Sequence, residues 1–413
     1  MSKSWVPPKN ALRQELSEKE VEQLDASTIA LASKLDPREG GWKPLVTPIY
    51  HTSTYTHSSV AQYLENVQNE GYIYQRLSNP TCEAVEVVIK ELEGGEGSLV
   101  YASGLDAITA LFLTFLKAGD HIICQSPCYS GTFEFIRRTL VKFGVDVSWA
   151  SVAGDRQHWA SLIQPNTRMI YGETPSNPTL ALLDLEMVAS LGVPNRVLTA
   201  IDATFASPVV VQPLKYGINF ALHSCTKFMG GHSDLVAGCV TTDSLEHWQA
   251  LKAQVSSAGG ALAPGEAALL HRGLKTLPLR MQRHSDTAQA IALFLQTHPK
   301  IKQVFYPGLS NHPQRDLAVR QMRLPGGMMA FEVESLEAAL KLSESLKLIN
   351  LAVSLGGCES LITVPTITTH GPMLMSDQDR AENDIRPGLL RFSVGLEDAR
   401  DLIADLKQAL AML

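Results

Sequence analysis

Residues 197–234 read VLTAIDATFASPVVVQPLKYGINFALHSCTKFMGGHSD. Two apolar stretches of strand character, Val197–Ile201 and Ile218–His223, lie in this segment, and each is followed at once by residues that can do chemistry. Asp202 comes directly after the first stretch, and the run Ser-Cys-Thr-Lys227 follows the second. In an open α/β sheet, ligands bind outside the carboxyl ends of the strands, so these side chains are candidates for one site.

On either side of this segment, stretches of strand and helix character alternate from about residue 80 to residue 270. The predicted strands include Ser98–Ala102, His121–Gln125, Val145–Trp149 and Arg168–Tyr171, and the predicted helices include Glu83–Leu92, Asp106–Leu116, Ser130–Phe143 and Glu186–Leu191. Such alternation predicts an α/β fold with a mostly parallel sheet that helices cover on both faces.

After about residue 270 the pattern changes to that of an α+β region. The predicted elements there are a strand at Gly327–Val333 and helices at Thr287–Thr297, Leu336–Leu346 and Asp398–Met412. We therefore predict three parts: an N-terminal helix with an extended arm at 1–65, a large domain at 66–270, and a smaller C-terminal α+β domain at 271–413. The arm, KPLVTPIYHTSTYT at 43–56, either reaches another subunit or forms a surface loop.

Composition narrows the class of protein. Of 413 residues, 45% are hydrophobic and 19% charged, which is typical of a globular protein. The net charge of -7 argues against a nucleic-acid partner. The six cysteines form no CxxC pair and no zinc-site spacing, so we expect no metal and a reducing compartment. The longest apolar stretch, 107–116, is far shorter than the roughly 20 residues of a membrane span, so we expect no membrane and a cytoplasmic location.

Three features at predicted strand ends each allow two interpretations. The run Ser103-Gly104-Leu105 opens a helix and is either a cup for an anion such as phosphate or a plain strand-to-helix turn. Asp202 is either a helix cap or a charge that faces a ligand. Lys227 is either exposed to solvent or desolvated in a pocket, where its pKa falls and it becomes a nucleophile that can form a Schiff base.

Taken together, these features are what pyridoxal phosphate (PLP) requires of a protein. A lysine holds the aldehyde of the cofactor, and an acid stabilises the protonated pyridine nitrogen, which makes the ring an electron sink. Lys227 and Asp202 are the candidates for these two roles. Hydroxyls from Ser224 and Thr226 are expected near the phosphate, and Tyr129 is placed to stack on the ring.

At this point the sequence resembles the Cys/Met-metabolism group of PLP-dependent enzymes, which have the type I, aspartate-aminotransferase-like fold. The similarity runs from about residue 45 to the C-terminus. The matching stretches are Tyr74-Gln-Arg76-Leu-Ser-Asn-Pro-Thr81, Ser103-Gly104, Pro127-Cys-Tyr129-Ser-Gly-Thr132, Glu173-Thr-Pro-Ser-Asn177-Pro, Asp202-Ala-Thr-Phe, His223-Ser-Cys-Thr-Lys227-Phe-Met-Gly-Gly-His-Ser-Asp234, Gly273-Leu-Lys-Thr-Leu-Pro-Leu-Arg280, Ser354-Leu-Gly-Gly-Cys-Glu-Ser360 and Arg391-Phe-Ser-Val-Gly395.

The resemblance implies a role for each matching residue on the cofactor side. Lys227 is implied to be the Schiff-base lysine and the base that moves the substrate's α-proton. Asp202 is implied to pair with the pyridine nitrogen, and Tyr129 to stack on the ring and transfer a proton at the leaving group. The residues implied to bind phosphate are Ser103, Gly104, Leu105, Ser224 and Thr226.

The resemblance also implies a substrate site and an assembly. Arg391 is implied to clamp the carboxylate of an amino-acid substrate bidentately, with Ser354 and Asn177 beside it. Tyr74 and Arg76 are implied to reach the phosphate of a neighbouring subunit. A homo-oligomer follows, with the active site shared across a dimer and a dimer of dimers as the expected state.

Two positions depart from common patterns of the family and bear on the reaction. Gly131 stands where methionine γ-lyases carry a cysteine, and Val353 stands where cystathionine γ-lyases and γ-synthases carry a glutamate. Absence of that cysteine counts against a dedicated bacterial-type methionine γ-lyase. Loss of that glutamate favours a substrate with a less polar tail, or β-elimination. We expect a carbon–sulfur lyase that acts on sulfur amino acids of the cystathionine, methionine or homocysteine type by γ- or β-elimination to oxo acid, ammonia and thiol. The alternatives are γ-substitution on an O-acyl-homoserine and a non-catalytic scaffold of the same fold.

Overall fold

The computed structural model describes residues 6–9, 16–34, 44–68 and 71–413. Its central feature is a seven-stranded sheet in the order β1-β7-β6-β5-β4-β2-β3. The strands are β1 (Gly97–Tyr101), β2 (His121–Ser126), β3 (Asp146–Ser151), β4 (Thr167–Glu173), β5 (Leu198–Asp202), β6 (Phe220–Ser224) and β7 (Gly238–Thr242). Only β7 runs against the others, because it pairs antiparallel with both β1 and β6. The mostly parallel sheet predicted from the sequence is therefore confirmed.

Helices cover both faces of this sheet and bury most residues of its central strands, whereas the residues of the edge strand β3 are mostly exposed or half-buried. The helices in this part of the chain are α4 (Pro80–Glu93), α5 (Gly104–Phe115), α6 (Ser130–Arg138), α7 (Arg156–Ser161), α8 (Leu185–Asn195), α9 (Ser207–Val210), α10 (Leu245–Ala258) and α11 (Pro264–Leu274). Before them lie α1 (Glu18–Glu22), α2 (Ala26–Ala32) and α3 (Val60–Gln68). Central residues such as Ile201 and Leu222 have no exposed surface. Burial on both faces explains why these strands appear in the sequence as continuous apolar runs.

A second, five-stranded sheet follows in the order β10-β11-β12-β9-β8. Its strands are β8 (Gln303–Phe305), β9 (Met328–Glu332), β10 (Asn350–Leu351), β11 (Leu361–Thr363) and β12 (Leu389–Ser393), and its helices are α13 (Arg315–Gln321), α14 (Leu336–Ser345), α15 (Asp377–Glu382) and α16 (Ala399–Ala411). The helix α12 (Leu277–Gln296) joins the two parts, because Leu277 and Met281 pack in the core of the first sheet and Ala288 and Ile291 in that of the second.

The structure corrects two of the predicted helices. The stretch predicted as one helix at Ser130–Phe143 is α6 followed by a 3-10 turn at Leu140–Phe143, because the chain leaves helical geometry at Thr139. The helix predicted at Thr287–Thr297 begins ten residues earlier, at Leu277. Its first half buries Arg280 and His284, and buried polar residues of this kind break the apolar periodicity on which the prediction rested.

The N-terminal part is the most exposed of the described chain. Residues 44–56 are extended and are tied to the rest by a bridge between Thr54 and Tyr74. Helix α3 buries none of its residues. Residues 1–5, 10–15 and 35–43 of the predicted N-terminal part lie outside the described residues, and the domain boundaries at 65/66 and 270/271 stay predictions. No helix in the described ranges has the length and apolarity needed to cross a membrane.

Candidate active site

The carboxyl ends of three neighbouring strands gather the candidate residues. Glu173 ends β4 and pairs in register with Asp202, which ends β5. Lys227 lies three residues after the end of β6, and Tyr129 immediately precedes α6 in the loop that follows β2. The sheet order places β4, β5 and β6 side by side, so the strand-end prediction from the sequence describes a real cluster.

Lys227 is largely buried, which decides between its two interpretations. Its Nζ donates a hydrogen bond of 2.7 Å to Oγ of Ser354. Burial, with a smaller contribution from the positive charge of Arg391, lowers the pKa of Lys227 to about 8. At pH 7 about a tenth of this amine is then deprotonated, a far larger fraction than at its ordinary pKa of 10.5, and the deprotonated form is the one that a nucleophile or a base requires.

Asp202 is also buried and does not cap a helix. Its Oδ1 accepts a hydrogen bond of 2.9 Å from the N–H of Thr204, and the hydroxyl of Tyr171 lies 3.5 Å from Oδ2. Burial raises the pKa of Asp202, whereas the hydrogen bonds from Thr204 and Tyr171 act in the opposite direction. These groups stabilise the carboxylate against burial and leave it suited to pair with a cationic ring nitrogen.

The predicted anion cup lies at the start of α5. Ser103 caps the helix, because its Oγ accepts a hydrogen bond of 3.0 Å from the N–H of Asp106. A Cβ on Gly104 would lie 2.6 Å from Cβ of Ser224, so only glycine lets the helix start approach β6 so closely. The N–H groups of Gly104 and Leu105 belong to the first turn, where no intrahelical acceptor exists. They are therefore free to bind phosphate.

The two hydroxyl residues at the end of β6, Ser224 and Thr226, differ in the hydrogen bonds that hold them. Oγ1 of Thr226 donates to the carbonyl of Ala237 at 3.2 Å and accepts from its N–H at 3.0 Å. The backbone N–H of Ser224 donates to Oγ1 of Thr204 at 2.8 Å, which fixes the backbone of Ser224 beside Gly104. Ser224 therefore lines the cup directly, whereas Thr226 holds the loop between β6 and β7 in place.

Tyr129 is the most open member of the cluster, with 41% of its surface exposed. Its backbone N–H donates to Oε1 of Glu173, and burial raises the pKa of its hydroxyl. A Cβ on Gly131 would lie 2.6 Å from the ring of Tyr129. The glycine at 131 is therefore what allows the ring its present position.

Arg391 lies on β12 of the second sheet and is 3% exposed. Its Nη1 donates to Oδ1 of Asn177 at 3.0 Å, and its Nη2 donates to the carbonyl of Ser354 at 3.1 Å. Burial lowers the pKa of Arg391 to about 10. Within the described chain no carboxylate forms an ion pair with it, and a buried cation without an anion is costly. A carboxylate from a ligand would supply that anion.

Ser354 joins the two sheets at the site. Its Oγ accepts from Lys227 and its carbonyl from Arg391. Its φ of 80° lies in the left-handed region, which a residue other than glycine adopts only when the surrounding structure enforces it. Such strain is concentrated at functional sites. Here the strained backbone of Ser354 directs its hydroxyl towards Lys227 and its carbonyl towards Arg391.

Three predicted site residues are not joined to this cluster. Tyr74 is 44% exposed, and Arg76 donates to the carbonyl of Ser256 with its guanidinium 5.7 Å from the Tyr74 ring. Val353 is 57% exposed beside Ser354. In the hydrogen bonds of the described residues, neither Tyr74 nor Arg76 contacts Lys227, Asp202 or the cup.

Sequence reasoning assigned no role to two buried groups beside the site. Glu173 ends β4 as Asp202 ends β5, so the same strand-end rule could have found it. His223, the residue before Ser224, places Nε2 2.5 Å from Oε1 of Glu93, and both side chains are essentially unexposed. Nothing in the sequence indicates that pair, because its members lie 130 positions apart.

The cluster fits PLP in each of its parts. First-turn N–H groups can bind the phosphate, Asp202 can face the ring nitrogen, and Lys227 has the lowered pKa that attack on an aldehyde needs. Arg391 offers a buried guanidinium for an amino-acid carboxylate. Across the described part of the chain, no group of three or more His, Cys, Asp or Glu side chains is arranged to hold a metal ion.

Comparison with known proteins agrees with this geometry. Residues 27–411 match the family described as Cys/Met metabolism PLP-dependent enzyme. The L-methionine gamma-lyase of Treponema denticola is 40% identical over 96% of this chain and 100% of that protein, and the cystathionine beta-lyase of Lactococcus lactis subsp. cremoris is 42% identical over 88% and 93%. The solved cystathionine gamma-lyase of Lactobacillus plantarum, complexed with L-serine, superposes with a TM-score of 0.88 at 36% identity, covering 94% of this chain and 99% of the other.

The predicted α/β fold, the family and the dependence on PLP are thus confirmed. The match extends over nearly the whole chain and includes both sheets, so it covers the cofactor cluster as well as Arg391. This chain belongs to the Cys/Met-metabolism family of PLP-dependent enzymes.

Proposed function

We propose that the protein is a PLP-dependent carbon–sulfur lyase that acts on sulfur amino acids of the cystathionine, methionine or homocysteine type. Relatives at about 40% identity carry the names methionine gamma-lyase and cystathionine beta-lyase, which supports this reaction class. The observation that carries the proposal is the position of Ser354 between Lys227 and Arg391. It sets a deprotonable amine beside a guanidinium that lacks an anion, as an α-amino acid substrate requires.

The cofactor side of the site has three tasks. When bound, PLP supplies an electron sink that stabilises negative charge at the substrate's Cα. Asp202 would keep the proton on the ring nitrogen, and Tyr129 would cover one face of the ring. The N–H groups of Gly104 and Leu105, with Ser224, would hold the phosphate and thereby the orientation of the ring. Ser103 would hold the start of α5 through the hydrogen bond it accepts from the N–H of Asp106. Thr226 would hold the loop after β6 through its hydrogen bonds with Ala237.

On the substrate side, Arg391 would bind the carboxylate while Asn177 holds the guanidinium in place. Lys227 Nζ would then take the proton from Cα, because a pKa near 8 leaves it able to accept one at neutral pH. The hydroxyl of Tyr129, whose pKa is raised, would donate a proton to the departing sulfur. Loss of a β-substituent needs the α-proton alone, and loss of a γ-substituent needs a β-proton as well. The products are an oxo acid, ammonia and a thiol.

The tail of the substrate would pass Val353 and Gly131. Val353 provides no acceptor for a distal ammonium group, which favours substrates with a less polar tail, such as the thioether methionine or the thiol homocysteine, over cystathionine. Gly131 leaves the tyrosine ring free to sit where its hydroxyl faces the leaving group.

A second copy of this chain would complete the site. The arm at 44–56 and helix α3 expose Leu45, Val46, Val60 and Leu64, each more than half exposed, and large apolar surfaces of this kind mark protein interfaces. Tyr74 and Arg76 follow this surface along the chain and would reach the phosphate of the partner. A dimer of dimers and a cytoplasmic location complete the proposal; all six cysteines are free thiols, as expected in a reducing compartment.

A substrate panel tests the reaction. Purified protein with PLP is given methionine, homocysteine, cystathionine and O-acetylhomoserine, and oxo acid, ammonia and thiol are measured, with and without an added thiol nucleophile. We expect oxo acid from at least one thioether or thiol substrate. Release of substitution products alone from O-acetylhomoserine would replace this proposal by γ-substitution, and binding of PLP without any turnover would indicate a scaffold.

Mixed protomers test the shared site. Arg76→Ala and Lys227→Ala are each expected to have little activity, because each defect affects every site of its own homodimer. A mixture that is unfolded and reassembled should regain about a quarter of wild-type activity, since one site of each hybrid dimer carries neither defect. Absence of any recovery, with hybrids shown to form, would contradict the proposal.

A further inference from the structure

Glu173 is a buried carboxyl at the centre of the site that the proposed mechanism does not use. It is 4% exposed, and it lies on the strand next to Asp202, with the two residues paired in register. Two carboxyl groups so placed in a buried site repel each other when both are ionised, so one of them tends to hold a proton.

The two carboxyl groups differ in what stabilises their charge. Asp202 has the 2.9 Å hydrogen bond from the N–H of Thr204 and the nearby hydroxyl of Tyr171. Burial first, and then the charge of Asp202, hold the pKa of Glu173 well above its ordinary value, and only two backbone N–H donors oppose them. The negative charge therefore belongs on Asp202 and the proton on Glu173.

The other titratable groups that face Glu173 do not alter this distribution. They come from the strand that carries Glu173 and from the loop after β2, and they are Tyr171, Cys128 and Tyr129. Burial raises the pKa of both tyrosines, and a hydrogen bond with Cys124 that favours the protonated thiol, together with burial, raises the pKa of Cys128, so all three are neutral near pH 7. The positive charge of Arg391 acts on Tyr129, Lys227 and His370.

The hydrogen bonds of Glu173 connect both sides of the site. Oε1 accepts from the backbone N–H of Tyr129, and Oε2 lies 3.4 Å from the N–H of Asn177. Asn177 in turn accepts from Arg391, so a chain of contacts runs from the ring-stacking residue to the guanidinium. The backbone N–H of Glu173 donates to Oε1 of Gln125 at 3.0 Å, which fixes the base of this carboxyl against β2.

We propose that Glu173 is a positioning residue that acts as a neutral carboxylic acid, holding the backbone of Tyr129 and of Asn177 in register so that the ring-stacking residue and the guanidinium of Arg391 face one ligand. Its neutral form leaves Asp202 as the single negative charge beneath the cofactor ring. This inference rests on the roles of Tyr129, Asn177 and Arg391 in the proposed function.

Three variants test the role. Glu173→Gln keeps the size and the neutral charge and can still accept from the Tyr129 N–H. Glu173→Ala removes both acceptors, and Glu173→Asp withdraws them by one methylene group. Glu332→Gln is the matched control, because Glu332 is a buried glutamate, 7% exposed, that pairs with Arg386 on the second sheet, away from the cluster.

Three quantities are measured for the wild type and for each variant. They are the dissociation constant of PLP from titration of the apoprotein, the pH midpoint of the visible absorption change of the bound cofactor, and KM and kcat on the best substrate of the wild type. For Glu173→Gln we expect a PLP dissociation constant within about twofold of wild type and an unmoved midpoint. For Glu173→Ala and Glu173→Asp we expect the PLP dissociation constant and KM each to rise about tenfold, because loss of alignment weakens both ring and carboxylate contacts. The control should match the wild type.

Two results would overturn the inference. A midpoint displaced by about one pH unit or more in Glu173→Gln would show that an ionised carboxylate had been removed. An unchanged PLP dissociation constant and KM in Glu173→Asp would show that the carboxyl positions nothing, and this variant decides the matter if Glu173→Ala does not fold. Failure of the lyase proposal is a different result, because it shows as absence of oxo acid with the wild type itself, whereas the PLP dissociation constant is independent of the reaction catalysed.

Discussion

The site has two sides that differ in how the chain builds them. The cofactor side, consisting of Asp202, Lys227, Tyr129 and the cup at the start of α5, follows strands of the seven-stranded sheet. The substrate side, consisting of Ser354 and Arg391, comes from the second sheet. The two sheets meet at the site through single hydrogen bonds. Lys227 donates to Ser354, 127 positions further along the chain, and Arg391 donates to Asn177, which lies 214 positions before it.

This difference has a consequence for function. A residue at the end of a buried strand is placed by the sheet itself, so its position is as stable as the core around it. The substrate side depends on how the second sheet packs against the first, and its alignment rests on few polar contacts. We therefore expect substitutions on the cofactor side to abolish cofactor retention or chemistry, and those on the substrate side to weaken substrate binding while the cofactor stays bound.

The largest effect is expected for Lys227→Ala. The variant should lose turnover by about a thousandfold or more, because it removes both the attachment point of PLP and the proposed base at Cα. Oxo acid release measures turnover, and borohydride followed by peptide mapping should place the cofactor on Lys227 in the wild type. Lys302→Ala, a lysine on the surface near Glu334, is the control. Wild-type turnover in Lys227→Ala would show that the cofactor side has been assigned to the wrong residue.

The second effect concerns the stability of the apoprotein. Burial lowers the pKa of Lys227 to about 8 from an ordinary value of 10.5, so the folded state disfavours the charged amine. The resulting destabilisation is fully present below pH 8 and is relieved as the pH rises from 8 to 10.5, where the unfolded chain binds more protons than the folded one. Lys227→Met apoprotein should thus be more stable than wild type at pH 7, by on the order of 3 kcal/mol.

Urea unfolding of both apoproteins at several pH values measures this difference. It should shrink between pH 8 and 10.5 and nearly vanish above that window. An equal difference at pH 7 and pH 10.5 would contradict the burial of a charged amine at this position.

The third effect tests the substrate side alone. Arg391→Lys keeps a positive charge but loses the bidentate geometry and the contact with Asn177. KM for the amino acid should rise roughly thirtyfold, which corresponds to about 2 kcal/mol for a hydrogen bond to a charged group. The PLP dissociation constant of the apoprotein should stay near that of the wild type. A parallel loss of PLP affinity would show that the two sides are not separable.

The smallest effect is expected at Val353. Val353→Glu supplies an acceptor for a distal ammonium group, and the value of kcat/KM for cystathionine relative to methionine should rise about tenfold. A satisfied polar contact is worth about 1–3 kcal/mol. We expect a gain in transition-state binding at the low end of this range, because the side chain at 353 is 57% exposed and water screens the ion pair. An unchanged ranking of the substrates would show that another residue determines the preference for the tail.

Much of the cofactor side was predictable for a physical reason. Parallel strands buried on both faces appear as apolar runs, and the residues that follow them must lie at one edge of the sheet. Asp202, Lys227 and the Ser103-Gly104-Leu105 turn were found in this way. The strand β7, the helices α10 and α11, and the early start of α12 were not predicted, because buried polar groups and short strands hide their periodicity.

Other properties of the same residues could not be read from the pattern. The sequence places a serine at 354 but does not show that its φ is 80° or that it bridges Lys227 and Arg391. The matching motif at 173–178 includes Glu173 but does not indicate what it does. The role of a buried carboxyl depends on its neighbours, here Asp202 and Tyr129, and only the folded chain shows them.

What the amino-acid sequence determined by itself is the alternation of strands and helices that defines the fold class, the family, the cofactor and the residue types that the chemistry requires, since all of these depend on local periodicity and on short motifs. What only the tertiary structure decided is the state of those groups: the buried amine of Lys227, the guanidinium of Arg391 without a carboxylate, and the pairing of Glu173 with Asp202. The physical reason is that a pKa, a hydrogen bond or an unpaired charge is set by the atoms that surround a group, and folding brings those atoms from distant parts of the chain.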